Sequence, residues 1–112
     1  MDTRFAISPA EARQFGTEQL RDNFLVSSLV RKDSIELIYT HYDRVIVGGV
    51  MPVTASLNLP NPSELRADYF LERRELGIIN VGGPGNVTTD GQVFPLEKLD
   101  CLYTGKGTKE VI

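Results

Sequence analysis

The sequence predicts an all-β fold, an antiparallel sandwich or barrel preceded by a short helical N-terminal arm. Three observations carry this. β-Branched and aromatic residues gather in short runs, such as Ile35 to Thr40 and Ile78 to Val81, that suit a pleated surface better than a helix. Glycine, proline and an Asp90-Gly91 pair separate those runs at close intervals, as in sheets built from hairpins. The clearest helix-start signature, Ser8-Pro9-Ala10-Glu11, lies close to the first residue.

In that signature Ser8 can cap, Pro9 fits the first helical position and Glu11 can complete a capping box. Gly16 is expected to stop this helix, and Thr17 to open a second short turn through Leu20 and Arg21. The arm is expected over residues 1–23 and strands over 24–112, within a single domain. Phe24 to Val30 and Ile35 to Thr40 read as a hairpin joined by Arg31 to Ser34. Alternation is imperfect in both, with both faces partly apolar, which suits packing on two sides or cover by a partner chain. Arg44 to Met51 reads as a third strand, and its adjacent Gly48 and Gly49 predict a bulge or a close backbone approach. Ser63 to Arg66 can form one helical turn. The apolar run Leu76 to Val81 is then expected to turn through Gly82-Gly83-Pro84-Gly85 and return as Asn86 to Thr89. Asp90-Gly91 predicts the next hairpin, leading into Gln92 to Leu96. Asp100 to Thr104 is a further strand, Gly105-Lys106-Gly107-Thr108 a turn, and Lys109 to Ile112 the start of one more strand.

Bulk properties narrow the function classes. A chain of 112 residues supports one domain. Its net charge of −3 gives no electrostatic footing for nucleic acid. One cysteine, Cys101, cannot form an internal disulfide, which suits a reducing compartment. No apolar run reaches the roughly 20 residues that span a bilayer. Residues 1–15 hold no signal-peptide core. A cytoplasmic protein is expected.

The order of glutamate, apolar strand, glycine turn, Asp-Gly hairpin and Gly-x-Gly turn resembles the rhythm of a cupin barrel, a jelly roll. Tyr69-Phe70-Leu71-Glu72-Arg73-Arg74-Glu75-Leu76-Gly77, Gly105-Lys106-Gly107-Thr108-Lys109-Glu110-Val111 and Asp43-Arg44-Val45-Ile46-Val47-Gly48-Gly49-Val50-Met51-Pro52 together closely resemble the N-terminal half of the 5-keto-4-deoxyuronate isomerases. These are also called 4-deoxy-L-threo-5-hexosulose-uronate ketol-isomerases. The resemblance covers nearly the whole chain. It implies a cupin-like N-terminal domain, incomplete at its C-terminal end, of an oligomeric isomerase. That family interconverts 5-dehydro-4-deoxy-glucuronate and 3-deoxy-glycero-2,5-hexodiulosonate in the breakdown of pectin-type uronates. The resemblance also implies that zinc and the catalytic ligands belong to a C-terminal domain absent from this chain.

Catalytic cupins hold a divalent metal with histidines and a glutamate that converge inside the barrel. On this chain the first motif's histidine positions are Tyr69 and Leu71, with Glu75 or Leu76 in the glutamate position, and the late histidine position holds Glu110. Two carboxylates remain and no nitrogen ligand, so no metal site is expected in this chain. The one histidine, His41, lies outside both motifs. An aldose–ketose shift needs a base to move a proton between adjacent carbons and a group to steady the enediolate. Glu75 and Glu110 are the candidates for the base in a metal-independent isomerase. Arg73 and Arg74 are candidates for a substrate-carboxylate clamp, in the isomerase or in a stand-alone small cupin that binds a sugar acid. The alternative for Glu72, Arg73, Arg74 and Glu75 is an ion-pair cluster at a rim or subunit contact. Gly82 to Gly85 precedes no helix, so it reads as a hairpin turn and not as a phosphate cradle. His41, Tyr42 and Asp43 read as a strand-end cluster, Cys101 as a buried inert thiol, and Lys106 and Lys109 as solvated. The first role expected for the chain is structural, with a homo-oligomer formed through strand edges. A ligand-binding domain should show an open polar mouth. A structural one should have it filled by Tyr69, Phe70 and Leu71.

Overall fold

The computed structural model describes all 112 residues. Seven strands, two short helices and one 3-10 turn make the chain all-β in class. It divides into two compact units, residues 1–55 and 56–112.

The first unit carries a three-stranded sheet. Strand β1 (Asp2–Arg4) pairs in parallel with β2 (Ile35–Thr40), which pairs antiparallel with β3 (Ile46–Val50). Between β1 and β2 the chain forms α1 (Pro9–Ala12) and α2 (Thr17–Phe24). The capping box at α1 is as expected: Ser8 Oγ accepts from the Glu11 N–H, and the Glu11 carboxylate accepts from the Ser8 N–H. The Ser8 hydroxyl and N–H hold the Glu11 carboxyl below its ordinary range. Gly16 opens α2 where it was expected to close α1, because Gln19 Oε1 accepts its N–H at 3.0 Å and α1 has already ended. Ile38 is the buried centre of the sheet.

The expected hairpin between Phe24–Val30 and Ile35–Thr40 does not form. Phe24 ends α2, and residues 25–30 are in no strand. Both edges of β2 are already taken, one by β1 and the other by β3. β1 itself has no signal in the sequence beyond Thr3. The true hairpin is β2–β3. It turns at Asp43 (φ 52°) and Arg44 (φ 58°), the pair of positive angles a two-residue type I′ turn requires. The close approach predicted at the glycine pair is real. A Cβ on Gly49 would lie 2.6 Å from the carbonyl carbon of Leu29 and nearer still to its oxygen. The main chain of residues 25–30 therefore packs over β3 as a loop, not beside β2 as a strand.

The second unit has two antiparallel ribbons. Strand β4 (Leu76–Ile79) pairs with β7 (Cys101–Thr104), and β5 (Gly85–Thr89) with β6 (Gln92–Leu96). A 3-10 turn over Ser63–Leu65 stands where one helical turn was expected. The core is Phe70, Leu71 and Leu96, with Leu71 only 1% exposed. Gly82 to Gly85 does not close a hairpin, contrary to expectation, because β4 takes β7 and not β5 as partner. The reason is Asn80. Its side chain accepts the Gly82 N–H at 3.0 Å and donates to the carbonyls of Gly83 and Leu96 at 2.9 and 3.0 Å. Its main chain meanwhile prolongs the β4–β7 ladder, donating to Asp100 O at 3.0 Å and accepting from the Leu99 N–H at 2.6 Å. The chain is thereby turned off the ladder before β5 begins. The Asp90-Gly91 hairpin is as predicted, with φ of 45° and 84°.

Candidate functional site

The charged stretch that starts the second unit's core was the principal site candidate. Its geometry follows from the backbone around it. The 3-10 turn ends at Arg66, which is left-handed at φ 48° and ψ 47°. Such a stop leaves carbonyls without intrahelical partners. Arg73 supplies them: its Nη2 donates to Leu65 O at 3.3 Å and to Arg66 O. Its Nε lies 3.9 Å from a Glu72 carboxylate oxygen, and that same oxygen accepts the Asp68 N–H at 3.0 Å. The Arg73 fork is therefore turned onto its own chain. Of the four charged side chains, Arg73 and Glu72 thus form a local ion pair.

Glu75 is exposed and meets Tyr103. The hydrogen bond from the phenol to the Glu75 carboxylate is the main reason the Tyr103 hydroxyl titrates above its ordinary value, with burial and the carboxylate's charge adding to it. Tyr103 pairs across the ladder with Gly77. It is a contact that sequence reading missed, since only the register brings the two residues near each other. Glu110 is also exposed. Its N–H donates to Asp90 Oδ1 at 2.9 Å, beside the Lys109 N–H at 3.0 Å, and its carbonyl accepts the Asp90 N–H at 3.1 Å. Asp90 thus fastens residues 109–112 alongside β5.

The donor set does not fit a catalytic divalent metal. Leu71 offers no donor atom and is buried, Tyr69 offers only a phenol, and Glu75 and Glu110 are two exposed carboxylates without an imidazole. No group of three or more histidine, cysteine, aspartate or glutamate side chains converges anywhere in the structure. A cleft of about 90 Å³ opens between Leu59, Asn61, Asp68, Tyr69 and Lys109. That is well below the roughly 300 Å³ at which small-molecule sites begin. Phe70 and Leu71, both buried, line it together with Tyr69.

The remaining candidates separate. His41 lies in the first unit just past β2, stacked on Phe5 at 4.8 Å and edge-on to Tyr39 at 5.1 Å. Tyr42 accepts the Ile7 N–H at 3.0 Å, and Asp43 forms the turn. These residues make a strand-end cluster, as read. Cys101 belongs to the second unit and is exposed, not buried. Strand β7 has one partner, β4, and the face it shares with Ile79 and Tyr103 is open. Lys106 and Lys109 are exposed, as expected. No helix is long and apolar enough to cross a membrane.

Fold and site together define a small all-β protein whose polar residues organise turns and whose cleft at Tyr69 is small. Its relatives carry a specific name. It is 50% identical over 111 residues to a 4-deoxy-L-threo-5-hexosulose-uronate ketol-isomerase of Formosa agariphila and 52% identical over 111 residues to ketol-isomerase 1 of Enterococcus faecalis. A ketol-isomerase of Escherichia coli is 46% identical over 114 residues. These alignments take in 99–100% of this chain and 40–41% of each relative. No protein-family model matches the chain. The chain is thus homologous along its length to the ketol-isomerases and spans about two fifths of theirs, in agreement with the N-terminal portion that the resemblance implied.

Proposed function

We propose that this chain is the scaffolding portion of a uronate ketol-isomerase with a cupin-like architecture. It frames catalytic machinery that resides in the remaining three fifths of such enzymes. The observation that carries the reading is an identity near 50% along the chain against relatives more than twice its length. Three features of the chain support it. Arg73 is engaged with its own backbone, the Glu75 carboxylate accepts from the Tyr103 phenol, and the cleft at Tyr69 is too small for a hexuronate. Zinc belongs, in this reading, to the part of the enzyme outside these residues. The working assembly is a cytoplasmic homo-oligomer in pectin-type uronate degradation. Copies associate through strand edges such as the outer edge of β3, where Val47 and Val50 stand exposed.

The test is a ketol-isomerase assay on the purified, metal-analysed chain, with and without added zinc or manganese. No turnover is expected in either case. Turnover should appear when the chain is co-expressed with the unmatched part of the Enterococcus faecalis enzyme. Metal-dependent turnover by the chain alone would overturn the reading and redirect attention to Glu75 and Glu110.

A further inference from the structure

One backbone edge of the second unit is paired along only part of its length, and its hydrogen bonds show where. The Thr88 N–H donates to Ile112 O at 2.7 Å, and Thr88 O accepts the Ile112 N–H at 2.9 Å. The Asp90 N–H donates to Glu110 O at 3.1 Å, and Thr89 bridges Val111 in antiparallel sense. Residues 110–112 therefore lie along the outer edge of β5 in antiparallel sense. Alternation along a strand fixes which residues face that edge. Thr88 and Asp90 face outward, so Gly85, Val87 and Thr89 face β6, opposite Leu96, Phe94 and Gln92. Asn86 must then face outward as well. Its partner across β6 is Pro95, which has no N–H to give, as a non-hydrogen-bonded pair allows. The Asn86 N–H and C=O are thus presented to an edge with no strand beside them, and Pro84 ends the edge two residues further on.

We propose that this edge at Asn86 is an acceptor for an extended strand, supplied by the polypeptide that makes up the remaining three fifths of the relatives' length. The proposal rests on the reading of the chain as a portion of a ketol-isomerase. The relatives' unmatched length supplies the occupant, and residues 110–112 set its direction, antiparallel to β5. Main-chain pairing of this kind gives affinity without demanding particular side chains. Exposed Asn86 and Gly85 present no bulky side chain in its way.

Amide hydrogen exchange on the intact chain tests it, alone and mixed with the unmatched part of Enterococcus faecalis ketol-isomerase 1. In the chain alone the Asn86 amide should exchange freely and the Thr88 amide slowly. In the mixture the Asn86 amide should slow by about tenfold or more, as an amide drawn into a ladder does. Asn86→Pro removes the outward N–H along with the side chain and leaves the hydrogen-bonded pairs of Gly85 and Val87 with β6 in place. It should leave the melting temperature unchanged and abolish co-purification. If that variant fails to fold, the exchange data on the unmodified chain still decide. Co-purification and turnover with Asn86 still exchanging freely would sink the edge and leave the proposed function standing. An Asn86 amide already protected in the chain alone would mean that something else covers the edge, and would overturn the assignment. So would the absence of any complex.

Discussion

The carboxylate of Asp33 gathers three donors across a distance in sequence. The N–H groups of Val53 and Thr54 lie 2.8 Å from Oδ1, and the Thr54 hydroxyl lies 3.0 Å from Oδ2. The Thr54 and Val53 amides hold its carboxyl below the ordinary aspartate value. A depressed folded value means that the unfolded chain binds more protons in the acid range, so stability rises with pH there. The contribution is complete above about pH 4 and is lost as pH falls through the folded value. Carbon-detected titration should place the Asp33 midpoint below that of an unstructured aspartate. Asp33→Ala should speed exchange at the Val53 and Thr54 amides at a fixed pH, because both lose their acceptor. The two glycines Gly49 and Gly77 make a second residue-scale test. Gly49→Ala sets a methyl against the Leu29 carbonyl, and overpacking of that kind costs about 1–3 kcal/mol or more. Gly77→Ala meets nothing within 4 Å and should shift stability by less than about 0.5 kcal/mol. Equal losses in urea unfolding would contradict the close approach at Gly49. The glycine pair was legible because only a missing side chain explains two glycines within a strand. Asn80 was not legible, since its partners Gly83 and Leu96 depend on where two other strands go.

At the scale of elements, the strands were easier to find than their partners. β2, β5, β6 and β7 lie within a residue or so of the runs that predict them, because branched residues and turn residues are local signals. Pairing is not local. The β4–β7 ladder joins residues on either side of the β5–β6 hairpin, and nothing in Leu76 to Ile79 names Cys101 to Thr104 as its partner. Residues 25–30 were read as a strand for their composition, yet β2 has no free edge to offer them. The charged tetrad shows the same limit, since an arginine that caps a 3-10 turn and one that clamps a substrate look alike in sequence. Arg73→Ala should therefore cost about 1 kcal/mol by leaving the Leu65 and Arg66 carbonyls without their donor, seen as a lower urea midpoint. Calorimetric titration with a hexuronate should be unaltered by the change. A uronate that binds the native chain and not the variant would restore the clamp.

For the molecule as a whole, much apolar surface remains in contact with water. Phe5, Val30, Ile79, Val81 and Tyr103 are each more than half exposed. Ile79 and Tyr103 lie on one open face of the β4–β7 ribbon, where a contiguous apolar patch would mark a contact region. Light scattering at micromolar concentration should give a mass above the 12.4 kDa of one chain, and a strict monomer would count against self-association. The all-β class was legible from the rhythm of strand and turn, and kinship to the ketol-isomerases from the segments Tyr69 to Gly77 and Gly105 to Val111. The division at Ala55–Ser56 was not, because no run of glycine, serine or charge marks it. Pro95 carries a last consequence. It removes one of the two N–H groups that β6 would offer outward, so the β5–β6 ribbon is blunted on one flank and receptive on the other. An added strand is therefore steered to the β5 flank and away from the β6 flank.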